Sequence, residues 1–99
     1  MTLQLIRATV SPEHAAAVEA AIGDVFTELA ETQPRGLRYA STKASDGTSY
    51  LILLEIDDPA HNPLPSLETF QQFQSQLPLW LAGPPVIEQL TVIGNYRVF

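Results

Sequence analysis

The chain has no cysteine, which excludes disulfides, thiolate metal centres and cysteine nucleophiles together. Basic residues are scarce as well: five Lys and Arg stand against eleven Asp and Glu in 99 residues, a formal net charge of −6. A chain this acidic, with a sequence pI near 4.6, suits neither phosphate backbones nor anionic lipid, so nucleic acid and membranes are not expected as partners. No apolar run approaches the roughly 20 residues that cross a bilayer. The opening MTLQLIR lacks the charged start, apolar core and cleavage site of a secretion signal, so a cytoplasmic location is expected. No Gly-rich phosphate loop and no Gly-x-Ser-x-Gly elbow occurs.

What is present is globular. Hydrophobic residues make up 45% and the mean hydropathy is +0.06, which argues against disorder. The length predicts one domain over residues 1–99. At this size folding buries roughly 65% of the unfolded surface, so a lone copy is expected to be modestly stable.

Residues 3–10 are rich in strand formers and stop at Ser11 and Pro12, a helix-start pair. Val18, Ile22, Val25, Phe26 and Leu29 then recur at helical spacing, with Glu19, Asp24, Glu28 and Glu31 mostly off that stripe. The helix must end before Pro34. Residues 37–44 and 49–57 read as a hairpin around Asp46 and Gly47, the preferred pair for a two-residue turn. That register sets Lys43 opposite Tyr50, Tyr39 opposite Leu54, and Arg38 opposite Glu55. Residues 57–66 carry three prolines and read as a loop. Ser66 is the expected cap of a second helix with Phe70, Phe73 and Leu77 on its buried face, kinked or stopped at Pro78. Residues 86–93 form a last strand. The order β-α-β-β-α-β predicts a ferredoxin-like α+β fold, an antiparallel sheet with two helices on one face and strands one and three in its middle.

Strand three breaks the usual alternation. Tyr50, Ile52, Leu54 and Ile56 point one way, but Leu51 and Leu53 point the other, whereas a sheet with one wet face should alternate. Two helices cover one face only. The second apolar face therefore predicts a homodimer in which two sheets pack together. The competing reading is a semi-polar, solvated face, on which Arg7, Arg38, Thr42, Gln89 and Thr91 would sit.

The stretches YLILLEIDD at 50–58 and LAGPPVIEQLTVIG at 81–94, separated by a helix, resemble the third and last strands of the antibiotic biosynthesis monooxygenase-like group of dimeric α+β barrel proteins. Ile56 stands where many members have Trp, and the second helix lacks the His that many carry. The resemblance implies a small pocket between sheet and second helix, and oxidation of quinols or polycyclic aromatics by O2, often with no cofactor. Relatives on this fold degrade haem, isomerise lactones or only bind ligands.

The candidate catalytic residues are Trp80, Arg97 and His61. Trp80 is the lone Trp, and its indole N–H suits a substrate oxygen, though the ring more readily serves as a plug of the helix–sheet core. Neither predicted helix holds a Lys or Arg, so the positive charge gathers near the sheet, where an oxyanion can use it. Of these residues Arg38 has Glu55 opposite it, while Arg97, beside Asn95 and Tyr96, has no evident partner. His61 titrates near neutrality and its loop can overhang a pocket, or it is a bystander. Tyr39 and Tyr50 share a sheet face with room for a common cavity or for ordinary core packing; with Phe70, Phe73 and Asn95 they are the candidate substrate contacts. Asp57, Asp58 and His61 more readily serve a turn than a metal, and no metal or other cofactor is expected. The expected partner is an aromatic small molecule. The leading expectation is a cofactor-independent monooxygenase acting on a hydroxylated aromatic or quinol; the alternatives are a ligand-binding or assembly domain and an isomerase or cyclase.

Overall fold

Alternating and helical apolar spacings place four strands and two helices in the expected order. The computed structural model describes residues 2–97. Strand β1 spans Thr2–Thr9 and leads through a short 3₁₀ turn, Pro12–His14, into helix α1 at Ala15–Thr32. The hairpin follows as β2, Leu37–Lys43, and β3, Ser49–Ile56. Two more 3₁₀ turns, Pro59–His61 and Leu64–Ser66, precede helix α2 at Glu68–Trp80, and β4 closes the order at Val86–Thr91. The strands form one antiparallel sheet in the order β2-β3-β1-β4, so β1 and β3 are central. The architecture is the ferredoxin-like α+β fold.

The hairpin register is the expected one: Lys43 faces Tyr50, Tyr39 faces Leu54 and Arg38 faces Glu55. The turn is longer than two residues. Ala44 N–H donates to Ser49 O at 2.8 Å and Gly47 N–H to Ala44 O at 3.1 Å, leaving four residues in the loop. Asp46 organises it by accepting from Thr48 N, Ser49 N and Ser49 Oγ, an Asx arrangement that holds the same register. Gly47 takes φ +78° there.

The helix ends also differ from expectation. Ser11 makes no side-chain cap, and α1 ends on Gln33 in the left-handed region, φ +46°. Ser66 belongs to a 3₁₀ turn. The start of α2 is instead capped from the other helix: Glu28 Oε1 accepts from Thr69 N at 3.1 Å and Thr69 Oγ1 at 2.6 Å. This holds the carboxyl below its ordinary range and leaves it charged at the positive end of α2. Pro78 does not stop the helix; Leu81 N–H still reaches Leu77 O at 3.1 Å, so only one bond of the last turn is lost.

Both helices lie on the face that carries Tyr39, Tyr50, Ile52 and Leu54. Val10, Val18, Val25, Tyr50 and Phe73 form the main buried cluster, and Leu54, Leu64 and Leu67 a second one under the Pro-rich loop. Each such aliphatic or aromatic burial contributes about 1.5–3 kcal/mol. Segment 10–11 is tied to the end of α2, with Val10 bridged to Leu81 and Ser11 N–H on Trp80 O at 3.2 Å. No described helix is long and apolar enough to cross a membrane.

Candidate functional site

Two helices laid across a twisted sheet leave space where the layers diverge, and here the space is a cavity of about 170 Å³. Its floor is Ile6, Ala8, Ile52 and Leu54 from the central strands, and its roof is Val18 and Ile22 of α1 with Phe70 and Phe73 of α2. Leu64, 1% exposed, closes the loop end. Gln74, Leu77, Pro85 and the exposed Ile87 form the side toward β4. None of the described lining residues is ionic; the polar groups are the amide of Gln74 and the phenols of Tyr39 and Tyr50.

The two phenols are held differently. Tyr50 is 3% exposed and donates to Glu19 Oε2 at 2.8 Å; the same oxygen accepts from Lys43 Nζ at 2.8 Å, and Lys43 sits 5.9 Å over the Tyr50 ring. Burial, then the bond to Glu19, pushes the Tyr50 hydroxyl above its ordinary range. Lys43 first and Tyr50 second draw the Glu19 carboxyl below its own. Tyr39 stacks on Phe26, with ring centres 5.2 Å apart and planes 7° from parallel. Burial raises its hydroxyl, partly offset by the neighbouring Ser41, whose own buried Oγ makes no hydrogen bond. Both tyrosines are therefore neutral through the physiological range; their rings belong to the cavity lining, while the Tyr50 hydroxyl is turned to Glu19 at the margin of helix and sheet.

Tyr39, Tyr50, Phe70 and Phe73 come together around this cavity. Trp80 stands behind it, its ring 6.2 Å from that of Phe73, facing a cleft between the helices rather than the cavity. His61 lies outside the lining, its side chain 82% exposed, with Nδ1 2.7 Å from Asp58 Oδ2. Asp57 turns instead to Arg38 at 2.9 Å, so these three residues do not converge, and no described cluster could hold a metal ion. Arg97, at φ +61°, lies 5.4 Å over the exposed Tyr96 ring; it and Asn95 are exposed and outside the lining.

Glu19 and Lys43 escaped the sequence reading as site residues. Lys43 was signalled by its register with Tyr50, but Glu19 looked like part of the outer acidic face of α1. It stands at the margin of that face, beside Val18, where a side chain reaches over the sheet edge. The aliphatic lining carried no signal apart from core spacing.

No protein-family model matches the sequence, and no curated protein matches it. Solved structures do match the fold. A Nitrosomonas europaea protein named as a proposed antibiotic biosynthesis monooxygenase superposes with TM-score 0.77 at 14% identity, over 95% of this chain and 100% of that one. One from Caulobacter crescentus, named in the same way, gives 0.72 at 21% identity over 94% and 90%, and one from Chloroflexus aurantiacus 0.73 at 16% over the whole of both. The class defined by topology and cavity is thus the ferredoxin-like α+β domain with a pocket under its helices. Within it, the chain has the fold of the antibiotic biosynthesis monooxygenase proteins.

Proposed function

We propose that the protein is a small-molecule enzyme that oxidises a one- or two-ring hydroxylated aromatic with O2 and without a cofactor, working as a homodimer joined through the open faces of two sheets. The observation that carries this reading is the apolar pocket between helices and sheet with two neutral tyrosines in its wall. A cavity of about 150 Å³ lined by aliphatic and aromatic side chains suffices for benzene, so 170 Å³ suits one ring better than the polycyclic frameworks implied by the family resemblance.

Oxygenation without a cofactor needs an electron-rich anion, and an anion in an apolar site needs hydrogen-bond donors. Tyr39 and the Gln74 amide are the lining groups with a proton to give. Tyr50, whose own proton is on Glu19, offers a ligand hydroxyl an acceptor position instead. Phe70 and Phe73 present ring surface, and Trp80 supports Phe73 from behind. The reading does not rest on His61, Asn95 or Arg97. Pairing of the sheets follows from Leu5, Leu51, Leu53 and Leu90, which the registers place on the face away from both helices.

The absence of any ionic side chain from the described lining favours a second reading, a binding module that holds a neutral aromatic without reacting. Oxygen consumption separates the two: the enzyme takes up O2 with at least one small hydroxyaromatic, whereas tight binding with unchanged O2 marks the module. Conversion without O2 marks an isomerase.

A further inference from the structure

We infer that Glu19, which lies outside the cavity, is the proton acceptor for a hydroxylated ligand inside it, and that it takes the proton through Tyr50. The inference rests on the cavity reading above and deepens it. An oxidation that runs through a ligand anion needs a base, and none of the described lining residues is ionic.

Tyr50 belongs to two spaces at once. It lines the apolar cavity, and it also lines an outer groove of about 260 Å³ whose walls include Glu19 and Lys43. Tyr50 is 3% exposed, whereas the Glu19 side chain is 48% exposed. The 2.8 Å bond from Tyr50 Oη to Glu19 Oε2 is therefore a polar link from the buried wall to water. Across the seam of helix and sheet, Glu19 meets Tyr50 of β3 and Lys43 of β2, which donates to the same oxygen at 2.8 Å. The bond from Lys43 holds the carboxyl below its ordinary range, so Glu19 is charged at neutral pH and open to a proton.

A ligand hydroxyl donating to Tyr50 Oη completes a chain of two hydrogen bonds that ends on Glu19 Oε2. Two protons then each move one place. The ligand O–H bond breaks as a new O–H bond forms on Tyr50, and the former Tyr50 proton joins Glu19. The ligand becomes an anion, Tyr50 stays neutral, Glu19 becomes a carboxylic acid, and no electron changes centre. Tyr50 has turned from acceptor to donor, so the new anion gains the hydrogen bond that an apolar site must supply. Glu19, a weak base beside Lys43, passes its proton to water in the groove. Glu19 does not touch the ligand; it is a positioning residue that acts through Tyr50.

The test needs no O2. The full-length protein is loaded anaerobically with para-nitrophenol in mild acid and jumped to mild base, and the coloured anion is timed against displacement of the ligand by excess phenol. In wild type the anion should appear about a hundredfold faster than the ligand leaves, the size of contribution a positioned base makes. Glu19→Gln keeps an acceptor for the Tyr50 hydroxyl but takes no proton, so its anion should appear no faster than displacement. Tyr50→Phe should behave the same way, and the double variant should be no slower than either. A purely structural role for Glu19 would change affinity without tying the anion to displacement. Glu19→Gln at the wild-type rate, or a wild-type anion that appears only on displacement, would overturn the inference and leave the cavity reading standing. A working relay in a protein that takes up no O2 would support the inference and remove the oxidation, leaving the isomerase. Failure of para-nitrophenol to bind would remove the cavity reading and the inference with it.

Discussion

The Tyr50 hydroxyl on β3 lies 2.8 Å from Glu19 Oε2 on α1, so a phenol of the cavity wall is bonded to a half-exposed surface carboxylate. The bond joins helix to sheet and fixes the orientation of the Tyr50 side chain in the cavity wall. Replacing Tyr50 by Phe keeps the ring and removes the hydroxyl, and with it both the bond to Glu19 and the acceptor position open to a ligand hydroxyl. It is expected to cost about 1 kcal/mol of stability and to weaken binding of a hydroxyaromatic about fivefold, while leaving its non-hydroxylated analogue unaffected. Calorimetric titration of the pair of ligands measures both.

Cavity size sets a ligand limit. One-ring phenols should bind, and three-ring ones should not. Leu64→Ala removes the loop-end wall, so it should admit a larger ring system while destabilising the fold by about 2–5 kcal/mol. Dissociation constants over a one-, two- and three-ring series, with melting curves, check the shift.

Acid should loosen the hairpin. Hydrogen bonds from Ser49 Oγ, then Thr48 N and Ser49 N, lower the Asp46 carboxyl from 3.8 to about 2. A carboxyl depressed in the folded state contributes stability above its unfolded value and loses it as pH falls through the folded one. Wild type should therefore exceed Asp46→Ala in urea midpoint above about pH 4, and the two should converge below pH 2. Glu19 and Glu28, also lowered, add to the loss in the same direction. A midpoint difference that persists at the lowest pH would contradict this account.

The helices should separate when their shared cap is removed. Glu28→Ala leaves Thr69 N and Oγ1 without their acceptor. Hydrogen exchange at the first turn of α2 should rise more than exchange in α1, with a lower melting temperature.

Much of this architecture was legible in the sequence because it follows from local rules. The hairpin register came from Asp46 and Gly47, and the central place of β1 and β3 from the element order. The structure supplied what depends on tertiary approach. Only the fold brings Glu28 to Thr69, which is why Ser66 looked like the natural cap. Only the fold decides that the Tyr50 side of the sheet is covered and the Leu53 side open, since both carry apolar residues. The cavity drew in Tyr39, Tyr50, Phe70 and Phe73, residues chosen for periodicity and shared face. It left out Trp80, which faces the cleft between the helices, and also His61, Asn95 and Arg97, chosen for chemical capability at positions where no periodicity constrains the chain. An absent base has no positive signature in sequence; the neutral lining became visible only when the wall was assembled.

Oxygen uptake by metal-free protein, over a panel of one- and two-ring hydroxyaromatics, tests the central claim most directly, with Ala8→Phe as the control that fills the cavity from its floor. The account predicts uptake above the protein-free rate with at least one compound, lost in a folded Ala8→Phe variant. Uptake that survives with the cavity filled, or a panel with neither uptake nor binding, would contradict it.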